Sequence, residues 1–446
     1  MSRRRPPLPA PEEGVVAALN SDGAGVVRGA VKTAFVPGAL PGESIRFQRR
    51  YLHKGYDDAQ LLDVLQASSD RVTPGCAHFS LCGGCSLQHL DHAAQVAVKD
   101  RELRDAIERL GQVQPEIWAA PLTGPIWGYR RRARLGARYV TQKERVLVGF
   151  RERNSSLVAD IAGCEVLVPQ VGRLIGALSA LVQRLSIRSR VPQVEVAAAD
   201  NRTVLVLRVL DPPTPADREA LQAFEREHGA HFMLQAGAPN DLETLDGSDE
   251  PLYYELPEFD VRLKFLPSDF VQVNAAMNRL MVSHVLGLLG LDAQARVLDL
   301  FCGLGNFTLP LARRAAEVVG IEGEEGLVQR ARDNASANGL ANLRFHAANL
   351  AGDEAAEACL RLAGPGPFTH VLLDPPRTGA RDVLAAVARL APRRVVYVSC
   401  HPGSLARDLG ILVTEHGFTL KSAGIIDMFP HTNHVESVAV LDGPGG

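Results

Sequence analysis

From about residue 271 onward the chain alternates apolar runs with stretches of helical periodicity, and nothing else in it constrains the architecture so tightly. The runs Arg296–Phe301, Val318–Glu322, Leu343–His346, His370–Asp374 and Arg394–Ser399 read as strands, with helical patterns between them. Such alternation builds an open, mostly parallel sheet with helices on both faces. Ligands on a sheet of this kind sit at the carboxyl ends of its strands. The residues that close these runs therefore carry most of the functional signal.

The first run leads into Phe301-Cys302-Gly303-Leu304-Gly305-Asn306-Phe307-Thr308, a strand end, a Gly-rich turn and a helix start. Glycines let the backbone approach a ligand, and the helix N-terminus offers free N–H groups. A dinucleotide fingerprint would want Gly or Ala where Thr308 stands, which counts against a nicotinamide cofactor. Glu322 ends the next strand, where an acidic side chain can accept both ribose hydroxyl hydrogens of a nucleoside. The pattern is similar to the adenosylmethionine site of Rossmann-like methyltransferases.

Cys400 stands just past the run Arg394–Ser399, beside His401 and ahead of a helix beginning near Ser404. A thiol there gains thiolate character from nearby cations or a helix N-terminus. Glu436 interrupts a terminal strand near His431 and His434. A Cys and a carboxylate are what methylation at uracil C5 demands. The thiolate adds to C6 and gives C5 carbanion character, and a base later removes the C5 proton. The run ending at Asp374 continues Pro375-Pro376-Arg377, and Arg377 replaces the aromatic residue that enzymes methylating exocyclic amines carry there.

Seven cysteines argue against a disulfide framework and toward metal or catalytic uses. Cys76, Cys82 and Cys85 lie within ten residues, and Cys164 stands alone. From spacing, an all-cysteine zinc site and an iron–sulfur cluster are both open. Short β-like runs between residues 14 and 67, separated by turns such as Pro41-Gly42-Glu43, suggest a small barrel. Its stretch from Arg46 to Lys54 interleaves basic and aromatic residues. Residues 127–153 hold nine Arg or Lys against two Glu, with Trp127, Tyr129, Tyr139 and Phe150 among them. That combination suits RNA backbone and unstacked bases. Residues 236–250 read as an exposed loop, and a helix is expected from about 93 to 110.

The net charge of −3 gives no argument for a nucleic-acid partner from the chain as a whole, so RNA binding would need a local basic surface. No apolar run approaches the roughly 20 residues of a membrane span. Arg3, Arg4 and Arg5 are followed by Pro and Glu, not by an apolar stretch, so no signal peptide is expected. A cytoplasmic location follows, with no membrane or DNA partner and a monomeric state.

Asp374-Pro375-Pro376-Arg377, Val398-Ser399-Cys400 and His434-Val435-Glu436-Ser437, following Asp-Leu-Phe-Cys-Gly-Leu-Gly-Asn-Phe, resemble the RNA 5-methyluracil methyltransferase family. The resemblance implies Cys400 as nucleophile and Glu436 as proton acceptor. It also implies S-adenosylmethionine contacts from Gln272, Phe301, Asn306, Glu322, Asn349 and Asp374. Cys82-Gly-Gly-Cys85-Ser-Leu-Gln88-His89 resembles the segment that holds a [4Fe–4S] cluster in the ribosomal branch, so the four cysteines would bind that cluster, with zinc as the alternative. Residues 14–67 look like a TRAM domain, an RNA-binding barrel. Barrel plus cluster implies the 23S ribosomal RNA branch. Another rRNA or tRNA uracil, or an RNA-binding iron–sulfur protein without catalysis, are the competing readings.

The expected fold is therefore α/β and multidomain. A TRAM- or OB-like β-barrel spans 10–68, a central α+β domain with the four-Cys metal site spans 69–270, and a Rossmann-like methyltransferase sheet spans 271–446. For residues 170–260 the sequence carries no motif, and only a central RNA-facing domain is expected there.

Overall fold

The computed structural model describes residues 8–444 except 30, 31, 154, 239, 240, 246, 249 and 365. The basic Arg3, Arg4 and Arg5 lie outside the described residues, as does part of the expected loop 236–250. The described chain divides into two compact units: residues up to Glu102 with Phe429–His434, and Leu103–Met428 with the segment from Val435. No helix among the described residues is long and apolar enough to cross a membrane.

The first unit opens with five strands, β1 (Glu12–Leu19), β2 (Ala24–Arg28), β3 (Thr33–Pro37), β4 (Ser44–Leu52) and β5 (Tyr56–Gln66), closed into a barrel in the order β1-β2-β3-β5-β4. Alternation fills its interior with Val16, Val27, Val36, Ile45 and Phe47. Closure leaves no unpaired strand edge. The basic and aromatic stretch of β4 splits between two environments. Phe47 is core, and Arg49 is buried with Asp57 at 2.7 Å, whereas Tyr51 and Tyr56 are exposed. Glu43, fully buried, accepts from the Leu40 N–H at 2.8 Å and from Arg71, which holds its carboxyl below the usual range against the pull of burial. Helix α1 (His92–Ala106) follows a turn-rich segment and, inside the expected span of about 93 to 110, passes into one π turn at Ile107–Gly111.

The second unit holds two large sheets. The first has six strands, ordered β12-β11-β10-β9-β7-β8, from β7 (Arg132–Val140), β8 (Arg145–Gly149), β9 (Gln193–Ala198), β10 (Thr203–Arg208), β11 (Ala230–Gln235) and β12 (Leu242–Thr244). The expected loop 236–250 is thus interrupted by β12, which pairs antiparallel with β11. Helices α2 (Pro169–Gly172), α3 (Ile175–Arg184) and α4 (Pro215–His228) belong to this part. In β7, Ala133, Leu135 and Ala137 are buried, so Arg132, Arg134 and Arg138 share the other face, as the alternation predicts. Of that face Arg134 meets Glu195 at 3.2 Å, while the basic residues around the strand are paired elsewhere: Arg131 meets Asp200 at 2.7 Å, and Lys143 and Arg145 share Asp160. A hairpin, β13 (Leu252–Leu256) and β14 (Val261–Phe265), leads to the second sheet.

That sheet has eight strands, ordered β17-β16-β15-β18-β19-β21-β20-β6. They are β6 (Ile117–Trp118), β15 (Arg296–Leu300), β16 (Glu317–Glu322), β17 (Leu343–Ala347), β18 (His370–Leu373), β19 (Arg394–Ser399), β20 (Thr419–Ile426) and β21 (Glu436–Asp442). Between them lie α5 (Ala275–Leu289), α6 (Thr308–Ala312), α7 (Glu325–Ala337), α8 (Ala355–Ala363), α9 (Leu384–Leu390) and α10 (Pro402–Thr414). Strands β15 to β19 are parallel, as the βαβ alternation requires. Strand β21 runs antiparallel between β19 and β20. The chain moves outward from β15 through β16 to β17, then returns to the other side of β15 with β18. That reversal opens a crevice at the carboxyl ends of β15 and β18.

Candidate active site

Every parallel strand ends on a residue singled out by the sequence. Strand β15 delivers Phe301, β16 ends at Glu322, β17 leads to Asn349, β18 to Asp374 and β19 to Cys400. Glu436 reaches the same sheet edge by a different route: β21 is antiparallel, so its first residue lies level with the last residues of β19. The pairing Ser399↔Ser437, closed by Ser437 Oγ donating to the Ser399 carbonyl at 3.0 Å, sets Cys400 and Glu436 next to one another across the two strands. Glu436 therefore begins a strand and is only 3 % exposed; it neither interrupts the strand nor sits on an exposed edge.

The Gly-rich turn is shaped by backbone strain. Phe301 adopts a left-handed φ of 65°, with its N–H bonded to the Ile321 carbonyl at 2.9 Å, and Gly305 has a φ of 98°. A Cβ on Gly305 would stand 2.3 Å from Leu309 Cδ1. Thr308 uses its hydroxyl inward, donating to Asp299 Oδ2 at 2.5 Å. Burial pushes the Asp299 carboxyl up to about 8, the Thr308 bond opposing and the Asp374 and Glu322 charges adding to the rise. Glu322 accepts from the Gly303 N–H at 3.0 Å and from Gly323 at 2.7 Å, tying the two strand ends together. Asn306 exchanges two 2.9 Å hydrogen bonds with Asn278 and accepts a third from the Tyr254 hydroxyl. Gln272 lines a narrow cleft beside that same Asn278 and Tyr254. Asn349 is exposed and lines an open hollow of about 590 Å³ at the end of β17.

The acceptor half of the edge is dominated by carboxyls in a low-dielectric setting. Burial raises Glu436 well above the ordinary carboxylate range, and the Asp374 charge adds to it. Asp374 itself is pushed up to about 7, by burial and then by Glu322. The Cys400 thiol is raised too, by burial first and then by Glu436 and Asp374, with Arg377 opposing. The expectation of a thiol lowered by its surroundings is not met: burial, with two carboxyls adding to it, outweighs the Arg377 guanidinium. The His401 side chain caps that helix instead, accepting from the Ser404 N–H at 3.1 Å.

Several supporting residues escaped the sequence reading. Asp408 on α10, fully buried, accepts from the Tyr397 hydroxyl and the Ala380 N–H, both at 2.7 Å, and so braces the loop that follows Asp374. Its only sequence signal is an acid on an otherwise apolar helix face. Asp299 had a clearer one, a carboxyl inside an apolar strand. Tyr254 and Asn278 had none.

Cys76, Cys82 and Cys85 are half-buried on the turn-rich segment of the first unit, where the Gly84 N–H points at Cys82 Sγ at 3.4 Å and the Cys76 N–H bonds Gln88. Cys164 belongs to the second unit and is half-buried on a loop. Among the described residues no group of three or more His, Cys, Asp or Glu converges as a metal site.

The family model for tRNA (uracil-5-)-methyltransferases matches residues 91–443, a span holding both large sheets and the whole edge just described. The chain belongs to this family. The tRNA (uracil-5-)-methyltransferase relatives include the Stenotrophomonas maltophilia (strain R551-3) protein named 23S rRNA (uracil(1939)-C(5))-methyltransferase RlmD, 49 % identical over 427 residues and 95 % of each chain. A protein of the same name from Alcanivorax borkumensis is 46 % identical over 99 % of each chain. Among solved structures, the Pyrococcus abyssi tRNA (uracil-54, C5)-methyltransferase in complex with S-adenosyl-L-homocysteine superposes with a TM-score of 0.74 at 25 % identity, covering 96 % of this chain and all of that one.

Proposed function

We propose that this protein transfers a methyl group from S-adenosylmethionine to C5 of a uracil in 23S ribosomal RNA, the position numbered 1939 in the names of its relatives. The observation that carries the reading is the placement of a thiol and a buried carboxyl side by side at a sheet edge shared with the Gly-rich turn. S-adenosylmethionine supplies an electrophilic methyl group. Gln272, Phe301, Asn306, Glu322, Asn349 and Asp374 are the residues we assign to its side of the edge.

On the acceptor side, the Cys400 thiolate adds to C6 and the displaced electron pair passes to C5. Once C5 carries its methyl group, the Glu436 carboxylate takes the C5 proton. The C6–S bond then breaks, which restores the C5=C6 double bond and the thiolate. Burial suits Glu436 to this task, because a carboxylate of raised pKa is a stronger base once it has lost its proton. The raised Cys400 thiol means that thiolate formation is favoured by rising pH.

We further assign Cys76, Cys82, Cys85 and Cys164 as ligands of a [4Fe–4S] cluster, with zinc as the alternative. Soft sulfur donors and an N–H directed at Cys82 Sγ suit either ion type. The cluster serves structure or RNA binding, since methylation at C5 needs no redox step. The reading places the protein in the cytoplasm as a monomer, with the barrel of residues 10–68, the central part 69–270 and the catalytic part 271–446 all facing RNA.

Incubation with 23S rRNA from cells lacking the modification, followed by mass-spectrometric mapping of 5-methyluracil, tests the function. Wild-type protein should yield one methylated uracil and Cys400→Ala none. Undiminished methylation by Cys400→Ala overturns the mechanism.

A further inference from the structure

The six-stranded sheet has two unlike faces. One is apolar: Val194, Val196, Leu205, Leu207 and Leu234 are buried on it, and Phe232 packs at a tilt against Phe224 of α4 with ring centroids 5.6 Å apart. The other is polar where it should be core. Strand register places Gln193 beside Arg208, with Gln235 and then Leu242 next in the row. The adjacent row runs Arg134, Glu195, Val206. Pro267 and Ser268, from the loop after β14, complete a cleft of about 180 Å³.

Charges in this cleft are not balanced. Glu195 Oε1 is occupied by Arg134 Nε at 3.2 Å and by the Gln193 side-chain amide at 2.6 Å. Arg208 is exposed, and its guanidinium has no ion-pair partner among the described residues. One positive charge is therefore left over, beside an apolar floor of Val206 and Leu242. The volume lies below the roughly 300–1,000 Å³ of sites that enclose a whole drug-sized ligand. It suits a single base and not a duplex, whose backbone and grooves need a broad surface.

The loop that walls the cleft is stiff. Leu266 N–H bonds Asp269 Oδ2 at 2.7 Å, Asp269 N–H bonds the Leu266 carbonyl at 2.9 Å, and Arg330 holds Asp269 at 2.6 Å. At its crest Phe270 is 74 % exposed, and two residues on Gln272 lines the separate narrow cleft beside Asn278 described above. One short, braced loop thus separates the polar cleft from the cofactor side of the active edge.

We propose that this cleft is a binding subsite for one unstacked ribonucleotide of the substrate RNA, a neighbour of the target uracil. Arg208 takes its phosphate, the Gln193 carbonyl reads the base edge, and Val206 and Leu242 lie against the base face. The inference rests on the RNA-methylating function proposed above.

The test uses full-length protein, an RNA hairpin carrying the target uracil, and a set of hairpins with one abasic nucleotide at each flanking position in turn. Arg208→Gln should raise the KM for RNA by about ten-fold, leave kcat and the KM for S-adenosylmethionine unchanged, and flatten the salt dependence of RNA binding by ~0.7 in log–log slope. Arg190→Gln, an exposed guanidinium paired with Asp211 outside the cleft, should change none of these. One abasic position should cost the wild type about ten-fold, a loss of the size that single base contacts carry. The same lesion should cost a Gln193→Ala/Leu242→Ala variant almost nothing. An unchanged RNA KM in Arg208→Gln, or abasic losses that simply add to those of the variant at every position, removes the subsite while leaving the function intact. A wild-type protein that methylates no hairpin and no rRNA sinks the function, and the subsite with it.

Discussion

Glu436→Gln separates the two halves of the proposed chemistry. The side chain is 3 % exposed at the start of β21, where Ile426 pairs with it on one side and Ser399 with Ser437 on the other, so an isosteric amide fits without repacking. Burial holds the free carboxyl well above its ordinary range, and Gln keeps the shape and hydrogen-bonding capacity of its protonated form. Folding should therefore survive. The folded-state value lies above the unfolded one, so the neutral carboxyl contributes stability that is complete at low pH and lost as pH rises through the folded value. The Gln variant, which cannot titrate, should be at least as stable as wild type at alkaline pH. Turnover is another matter: removing a positioned proton acceptor costs about 10²–10⁴-fold, or about 3–5 kcal/mol of barrier. Thiol addition and methyl transfer do not use Glu436, so the covalent protein–RNA species should accumulate. Labelled RNA run on a denaturing gel reads this directly, and a Cys400→Ala/Glu436→Gln double variant should lose the band. Multiple-turnover methylation by Glu436→Gln within ten-fold of wild type, with no trapped adduct, would refute the assignment.

Three further outcomes follow from the same geometry. Asp299, at about 8 against an ordinary value of about 3.9, is neutral in the fold at pH 7. The contribution of this group to wild-type thermal stability should fall as pH rises from about 4 to about 8 and level off above, and Asp299→Asn should flatten that fall; identical pH profiles would contradict the raised carboxyl. Gly305→Ala forces a φ of 98° on a residue with a Cβ, 2.3 Å from Leu309 Cδ1, and should cost about 1–3 kcal/mol of stability and most S-adenosylmethionine affinity, read by thermal melts and calorimetry. Cys82→Ser should remove the visible charge-transfer absorption of anaerobically purified protein while Cys359→Ser, on the buried side of α8, retains it; colourless zinc-loaded wild type would exclude the iron–sulfur assignment.

The carboxyl ends of β15 to β19 were readable before any coordinates, because each apolar run is local and its last residue is a local property. Helix and barrel boundaries followed the same logic, apart from the π turn after α1 and the short β12, which packing against neighbours decides. Where the sequence misled, the cause was distance along the chain. Glu436 read as an interruption of the terminal strand, whereas it begins β21 and is buried by β19 and β20, strands that begin 42 and 17 residues earlier. The basic stretch 127–153 looked like an open cationic surface because Asp200, Glu195 and Asp160, which pair with Arg131, Arg134, Lys143 and Arg145, lie outside it in sequence.

By itself, then, the sequence determined the parallel sheet and the Gly-rich turn and pointed to a thiol and an acid as candidates, since periodicity and side-chain chemistry are carried residue by residue. Only the tertiary structure decided that an antiparallel last strand brings Glu436 level with Cys400. It also decided that Asp299, Asp374, Glu436 and Cys400 all titrate high, because desolvation and the fields of neighbouring charges exist only once distant strands have closed over one another.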